Sequence, residues 1–200
     1  MTSDEILELA RSTIQKEIDG VATLIHQLDD RFVEVAERLL KCKGHVLVTG
    51  AGTSNPVAAR LAHLLSCCGT PALFIHPGDS QHGLAGAVSK QDVLLAISKG
   101  GETTEVKHLA QVAKNRGATV IAMTEKPDST IGRLSDVVLF VKAPPDGDPH
   151  GMIATGSSLV NAAMGDALCV VLLRLRDYSL EEFGETHPGG AVGRKLADTK

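Results

Sequence analysis

At 200 residues the chain has the length of one domain, or of one domain with an arm. A net charge of −4, with no Trp, one Tyr and four Phe, argues against nucleic acid or an anionic membrane surface as partner. Hydrophobic residues are 43% of the chain, enough for a substantial aliphatic core; no apolar run reads as the ~18–20 residues of a membrane span, and the acidic start Met-Thr-Ser-Asp-Glu does not read as a signal peptide.

Taken in order, the spacing predicts a long helix over 4–28, capped by Ser3 or Asp4. Ile6, Leu9, Ile14, Ile18, Val21, Leu24, Ile25 and Leu28 lie on its stripe. A second helix over 30–41 carries Phe32, Val33, Val35, Ala36, Leu39 and Leu40. Two helices before the first strand are more than a sheet edge needs. Their stripes suit either a partner subunit or the chain's own sheet. From Gly44 strands and helices alternate. Strands are expected at 45–49, 72–76, 93–97, 119–123 and 137–141. Helices are expected at 56–68, near 80–85, and at 103–116, 129–134, 155–176 and 180–184. The last dozen residues are expected to be partly mobile. This alternation specifies an α/β fold, a three-layer α/β/α sandwich on a five-stranded parallel sheet, preceded by N-terminal helices. Residues 1–200 form a single domain, with helices over 1–43 and the α/β core over 44–196. Cys42, Cys67, Cys68 and Cys169 show neither disulfide nor zinc spacing and read as small core residues in a reducing cytoplasm.

The most informative stretch is Asp92–Glu105. A buried apolar strand breaks at Ser98-Lys99-Gly100-Gly101 and resumes as a helix with Val106, Leu109, Ala110 and Ala113 inward. Such a turn points backbone N–H groups at one spot. The hydroxyls of Ser98, Thr103 and Thr104 and the Lys99 ammonium line it, and together they suit a phosphate. Glu102 is out of place in an anion cup, which suggests chemistry on whatever the phosphate carries. Ligands of parallel sheets sit beyond the carboxyl ends of the strands, where strand order reverses. There the polar loops meet, including Gly52-Thr53-Ser54-Asn55, His76-Pro77-Gly78-Asp79 and the Pro/Gly loop with Asp146, Asp148 and His150.

Other motifs fall short. Gly50-Ala51-Gly52-Thr53-Ser54-Asn55 lacks the third glycine of a dinucleotide fingerprint, and the second strand ends without the ribose-binding acid. No Walker pattern is present. His76 and His82 are six apart across a Pro-Gly turn, which is not a strong ligand spacing, so no metal is assigned.

Together these loops resemble the SIS (sugar isomerase) domain, nearest to that of arabinose 5-phosphate isomerases. The resemblance runs over about Lys41 to Leu196. It is carried by Cys42-Lys43-Gly44, Gly50-Ala51-Gly52-x-Ser54, Gly69-Thr70-Pro71, His76-Pro77-Gly78 with His82-Gly83, Ile97-Ser98-x-x-Gly101-Glu102-Thr103, Met164-Gly165-Asp166-Ala167-Leu168 and His187-Pro188-Gly189-Gly190-x-x-Gly193-Arg194. It implies interconversion of an aldose and a ketose phosphate through a cis-enediol, without cofactor, by a homodimer or homotetramer whose neighbouring subunits complete each site. Carried over, Ser54, Ser98 and Thr103 hold phosphate, with Gly52, Thr53, Lys99 and Thr104 in the same cup. Glu102 is the base, and His82 and His187 open the ring or shuttle protons. A carboxylate beside a dianion is expected to have a raised pKa.

The chain departs from that family at three points. Thr53 stands where the isomerases usually carry a lysine, Asp146 lies near the place of a glutamate, and the cup reads Ser98-Lys99-Gly100-Gly101 where the family tends to read Ser-Asn-Ser-Gly, so one serine hydroxyl is lost and one lysine gained. Lys99 either restores the cation lost at 53 or is a solvated loop lysine. A non-catalytic phosphosugar sensor and a 6-phospho-3-hexuloisomerase are the alternatives. The regulatory CBS modules that usually follow the His-Pro-Gly-Gly segment are not expected.

Overall fold

The computed structural model describes residues 1–145, 148 and 150–197. Asp146, the first acid of the Pro/Gly loop, lies outside the described residues. Five strands, β1 (Val46–Gly50), β2 (Ala72–Phe74), β3 (Val93–Ile97), β4 (Thr119–Thr124) and β5 (Val137–Phe140), form one parallel sheet in the order β2-β1-β3-β4-β5. Every residue of β1 and β3 is buried, which is why β3 is a continuous apolar run and β1 is apolar from Val46 to Val48 rather than alternating. Their register places Thr49 beside Ala96 and Gly50 beside Ile97.

The helices are α1 (Ser3–Ala22), α2 (Asp30–Leu40), α3 (Ser54–Cys67), α4 (Pro77–Ser80), α5 (Thr104–Asn115), α6 (Thr130–Leu134), α7 (Thr155–Leu175), α8 (Leu180–Thr186) and α9 (Gly190–Ala197). Side chains alternate across the pleat, and the layers follow from that. Val46, Val48, Leu95 and Ile97 pack under α2, α3 and α7. Leu47 and Leu94 pack under α5, and Ala96 and Ala122 join Val106 and Ile131 under α5 and α6.

Several expectations are corrected. The helix of 4–28 stops at Ala22 and tightens into a 3₁₀ turn, Thr23–His26. Just beyond, Gln27 grips the backbone of Lys142 through both amide atoms, at 2.9 and 2.7 Å. The cap of α1 is Thr2 in a reciprocal box with Glu5, not Ser3 or Asp4. The helix near 80–85 is two pieces, α4 and a 3₁₀ turn at Leu84–Ala87. Gly83 divides them at φ 106°, a conformation that does not continue a right-handed helix. β2 ends at Phe74 because His76 already caps α4. The tail carries a further helix, α9, beyond the expected elements.

The expectation that no apolar run has the length of a span fails at α7, which by length and composition is long and apolar enough to cross a bilayer. In the fold it packs against α3, α1 and α2, burying Val160, Met164, Leu168 and Leu172. That buried face accounts for part of its apolar character, while Leu159, Val170 and Leu175 stay exposed. The stripe of α1 is not covered in the same way: Ile6, Leu9, Ile14 and Ile18 are each at least 50% exposed.

Candidate functional site

Strand order reverses between β1 and β3, so the loops leaving these strands diverge and open a crevice. On one wall is Gly50-Ala51-Gly52-Thr53, leading into α3. On the other is Ser98–Thr103, leading into α5. The N-cap positions of both helices, Thr53 and Thr103, make no side-chain capping bond. Elsewhere Thr2, Asp29, Ser129 and Ser179 each cap their own helix. In α3 the Ser54 and Asn55 N–H groups donate back to Ala51 and Gly52 C=O at 3.1 Å each and Pro56 carries no N–H, so the crevice is offered the first-turn N–H groups of α5 and the positive ends of both helix dipoles. Ser98 is buried, and its Oγ lies 3.3 Å from Thr103 Oγ1, so these two expected phosphate ligands do meet. Ser54 opens α3 across the crevice, and Thr104 opens α5.

The turn after β3 is held rigidly. Its Gly101 N–H closes on Ser98 C=O at 3.1 Å. Gly101 sits at φ 64° against Ser129, so a side chain there is doubly disfavoured. The β4–α6 loop then fastens the turn from outside. Thr124 Oγ1 and Glu125 N–H donate to Lys99 C=O at 2.9 and 3.1 Å, and Ile131 N–H donates to Gly101 C=O at 3.1 Å.

Glu102 ends this fastening, and the protein groups around it act against the rise expected beside a dianion. Thr130 donates its N–H to Oε1 at 2.7 Å and its hydroxyl to Oε2 at 2.9 Å; Lys107 Nζ lies 3.2 Å from Oε2. The Thr130 N–H, then its hydroxyl, then Lys107 stabilise the charged form, pulling the carboxyl down to about 2 rather than up. These partners lie on α6 and α5, and their proximity to position 102 is a tertiary fact. The only trace of it in the sequence is Ser129-Thr130 at a helix start.

Lys99 is exposed at the rim of the turn. Thr53 and Gly52 are exposed on the opposite wall. His82 is an exposed turn residue between α4 and the Leu84–Ala87 turn, not a helical one. His187 stacks on Phe183 with ring centroids 3.9 Å apart, and its Nδ1 lies 2.9 Å from Phe183 C=O. With Nδ1–H donated there, Nε2 is the acceptor nitrogen. Among the described residues no hydrogen bond, ion pair or ring contact joins His82 or His187 to Ser54, Ser98, Glu102 or Thr103. His76 caps α4, its Nδ1 accepting from Asp79 N–H at 3.3 Å. No three His, Cys, Asp or Glu among the described residues gather as a metal site.

Sheet order and crevice define a doubly wound α/β protein whose crevice opens at the strand-order reversal. The family model of the SIS domain matches residues 39–172, and the chain belongs to that family. It is 38% identical over 189 residues to arabinose 5-phosphate isomerase KdsD of Yersinia pestis, covering 94% of this chain and 58% of that protein. The KdsD protein of Pseudomonas aeruginosa is 38% identical over 192 residues, 96% of this chain and 59% of the relative. The chain thus spans a little over half the length of these relatives. Among solved structures, c3406 of E. coli CFT073 in complex with arabinose 5-phosphate superposes with a TM-score of 0.90 at 29% identity, over 94% of this chain and all of that one. A candidate sugar-phosphate isomerase of Listeria monocytogenes gives 0.92 at 36% identity, again over 94% of this chain and all of that one.

Proposed function

We propose that the chain is a sugar-phosphate isomerase interconverting an aldose and a ketose phosphate, most like arabinose 5-phosphate isomerase. The observation that carries this is the pair of uncapped helix N-termini facing one crevice, with Ser54, Ser98 and Thr103 among them. A phosphate dianion there takes N–H and hydroxyl donors and two favourable dipole ends. Glu102 removes the C2 proton of the open-chain aldose, leaving a cis-enediol, and a proton returned to C1 gives the ketose. The hydroxyl proton passes from O2 to O1, and His82 and His187 serve that transfer and ring opening. Oxidation at C2 balances reduction at C1, so no redox cofactor is invoked. The sugar-phosphate complex of the E. coli relative supports the substrate class.

The working form is read as a cytoplasmic homodimer or homotetramer acting on a small molecule, not on nucleic acid or a membrane. Four free thiols suit a reducing compartment, and the exposed apolar stripe of α1 suits a subunit contact. A second reading, a phosphosugar-binding protein without turnover, is favoured by Thr53 in place of a lysine and by the clasped Glu102.

Exchange of the substrate C2 proton with solvent, followed by proton NMR on arabinose 5-phosphate, tests the choice. Exchange that is lost in Glu102→Gln, with phosphosugar affinity held within about threefold, supports the enzyme. Tight binding without exchange in the unaltered protein supports the sensor.

A further inference from the structure

Glu102 lies in a position where a free carboxylate would serve a proton-transfer role best, yet it is the most heavily bonded acid of the crevice. A carboxylate offers about four lone-pair sites, two per oxygen. Oε2 uses two of them, on the Thr130 hydroxyl at 2.9 Å and Lys107 Nζ at 3.2 Å. Oε1 uses one, on Thr130 N–H at 2.7 Å. One site on Oε1 is left for a substrate proton. The two holding residues come from different elements, Lys107 from the end of the first turn of α5 and Thr130 from the start of α6. The carboxylate is therefore fixed in two directions, as a side chain on a short turn alone would not be.

We propose that Thr130 and Lys107 are positioning residues for Glu102: they fix the carboxylate and determine which of its oxygens stays open to a substrate. This rests on the isomerase reading for its role in catalysis, but not for the clasp itself. The same bonds keep the group ionised well below neutral pH. The charged groups beside Glu102 are Lys107 on α5, and Glu125, Lys126 and Asp128, which line with it a cleft of about 480 Å³ beside the β4–α6 loop. The charge state of Glu102 is set by Thr130 and then Lys107, which bond the carboxylate directly.

Two readouts test the proposal on the intact chain. The first is the carbon-13 NMR titration of the Glu102 side-chain carboxyl in the protein without ligand, assigned through Glu102→Gln. The second is the acid limb of kcat/KM for arabinose 5-phosphate. Unaltered protein should hold Glu102 ionised at pH 4, below the ordinary glutamate midpoint of about 4.3. Thr130→Val, which keeps the N–H and removes the hydroxyl, and Lys107→Met should each raise the midpoint by about one unit. The acid limb should rise with it, while KM stays within about twofold. Thr130→Ser should restore both. A purely structural role would lower the melting temperature in all three variants without moving the midpoint. An unmoved midpoint in Thr130→Val and Lys107→Met overturns the proposal, as does Thr130→Ser behaving like Thr130→Val. The NMR midpoint needs no turnover. A shifted midpoint without proton exchange keeps the clasp and removes the isomerase reading; exchange with an unmoved midpoint does the reverse.

Discussion

Ser129 Oγ fills the space that a side chain on Gly101 would need. The contact joins the turn after β3 to the cap of α6, since the same hydroxyl accepts Gly132 N–H at 3.2 Å.

Gly101→Ala is accordingly expected to displace Ser129 and to force an alanine into φ 64°. The backbone strain alone costs about 1–3 kcal/mol. Thermal melting should fall, and phosphosugar binding by calorimetry should weaken at least about tenfold, because the cup is formed by that turn. Affinity and melting temperature equal to the unaltered protein would show that Gly101 does not shape the cup.

Asp92, at the far end of β3 from the crevice, is buried and accepts from His45 N–H at 2.8 Å and Ser89 N–H at 2.7 Å. Burial raises its pKa, and the N–H groups of His45 and Ser89 outweigh it, leaving it below the ordinary aspartate range. A folded-state pKa below the unfolded one gives stability that is present above the unfolded value and lost as pH falls through the folded one. Asp92→Ala should cost roughly 1–2 kcal/mol at pH 7 by removing the acceptor of two part-buried N–H groups. The difference from the unaltered protein should narrow in acid. Urea unfolding at pH 7 and at pH 3 measures both, and a constant difference would refute the charge argument.

Lys99 is the candidate to replace the cation lost at Thr53. If its ammonium reaches the phosphate, Lys99→Ala weakens phosphosugar binding by roughly one to two orders of magnitude. The loss should shrink as salt rises, since Lys99 is exposed. Thr53→Lys in that background should recover part of the affinity. Calorimetry that finds Lys99→Ala as tight as the unaltered protein makes Lys99 a surface lysine and moves the sensor reading ahead.

The α1 stripe predicts assembly. Ile14→Glu with Ile18→Glu puts two charges where the side chains are 58% and 55% exposed in the single chain. Folding of the subunit should be little affected, because α1 buries only Gly20. Light scattering should show smaller particles at unchanged far-ultraviolet dichroism. A particle size equal to that of the unaltered protein removes α1 from the subunit contact.

Much of the fold is legible in the chain because β1 and β3 are buried on both sides, so β3 is apolar throughout and β1 is apolar from Val46 to Val48. Val93–Ile97 matches the expected strand residue for residue. Ser98 and Thr103 could be read as neighbours because a short turn separates a strand end from a helix start. What escaped is what depends on distant residues. The end of α1 is set by Gln27 meeting Lys142, 115 positions away. The basicity of Glu102 is set by Thr130, 28 positions away. Local patterns carry periodicity and caps, whereas a carboxylate's environment is decided by whichever loop folds against it. α9 was missed for a different reason: its opening Gly-Ala-Val-Gly reads as turn, and helicity begins at a glycine of φ 67°.

The fastening of the turn by Thr130 and Ile131 also supplies a built-in reporter. Their amide hydrogens are engaged by Glu102 and by Gly101 C=O, so each exchanges with deuterated solvent only when the loop lifts off the turn. Ligand that steadies the cup should slow both amides together, whereas the exposed backbone of Gly52, on the opposite wall, reports that side independently. Exchange rates at these few amides therefore separate a ligand that braces one wall from one that draws both together, with no label attached and no turnover required.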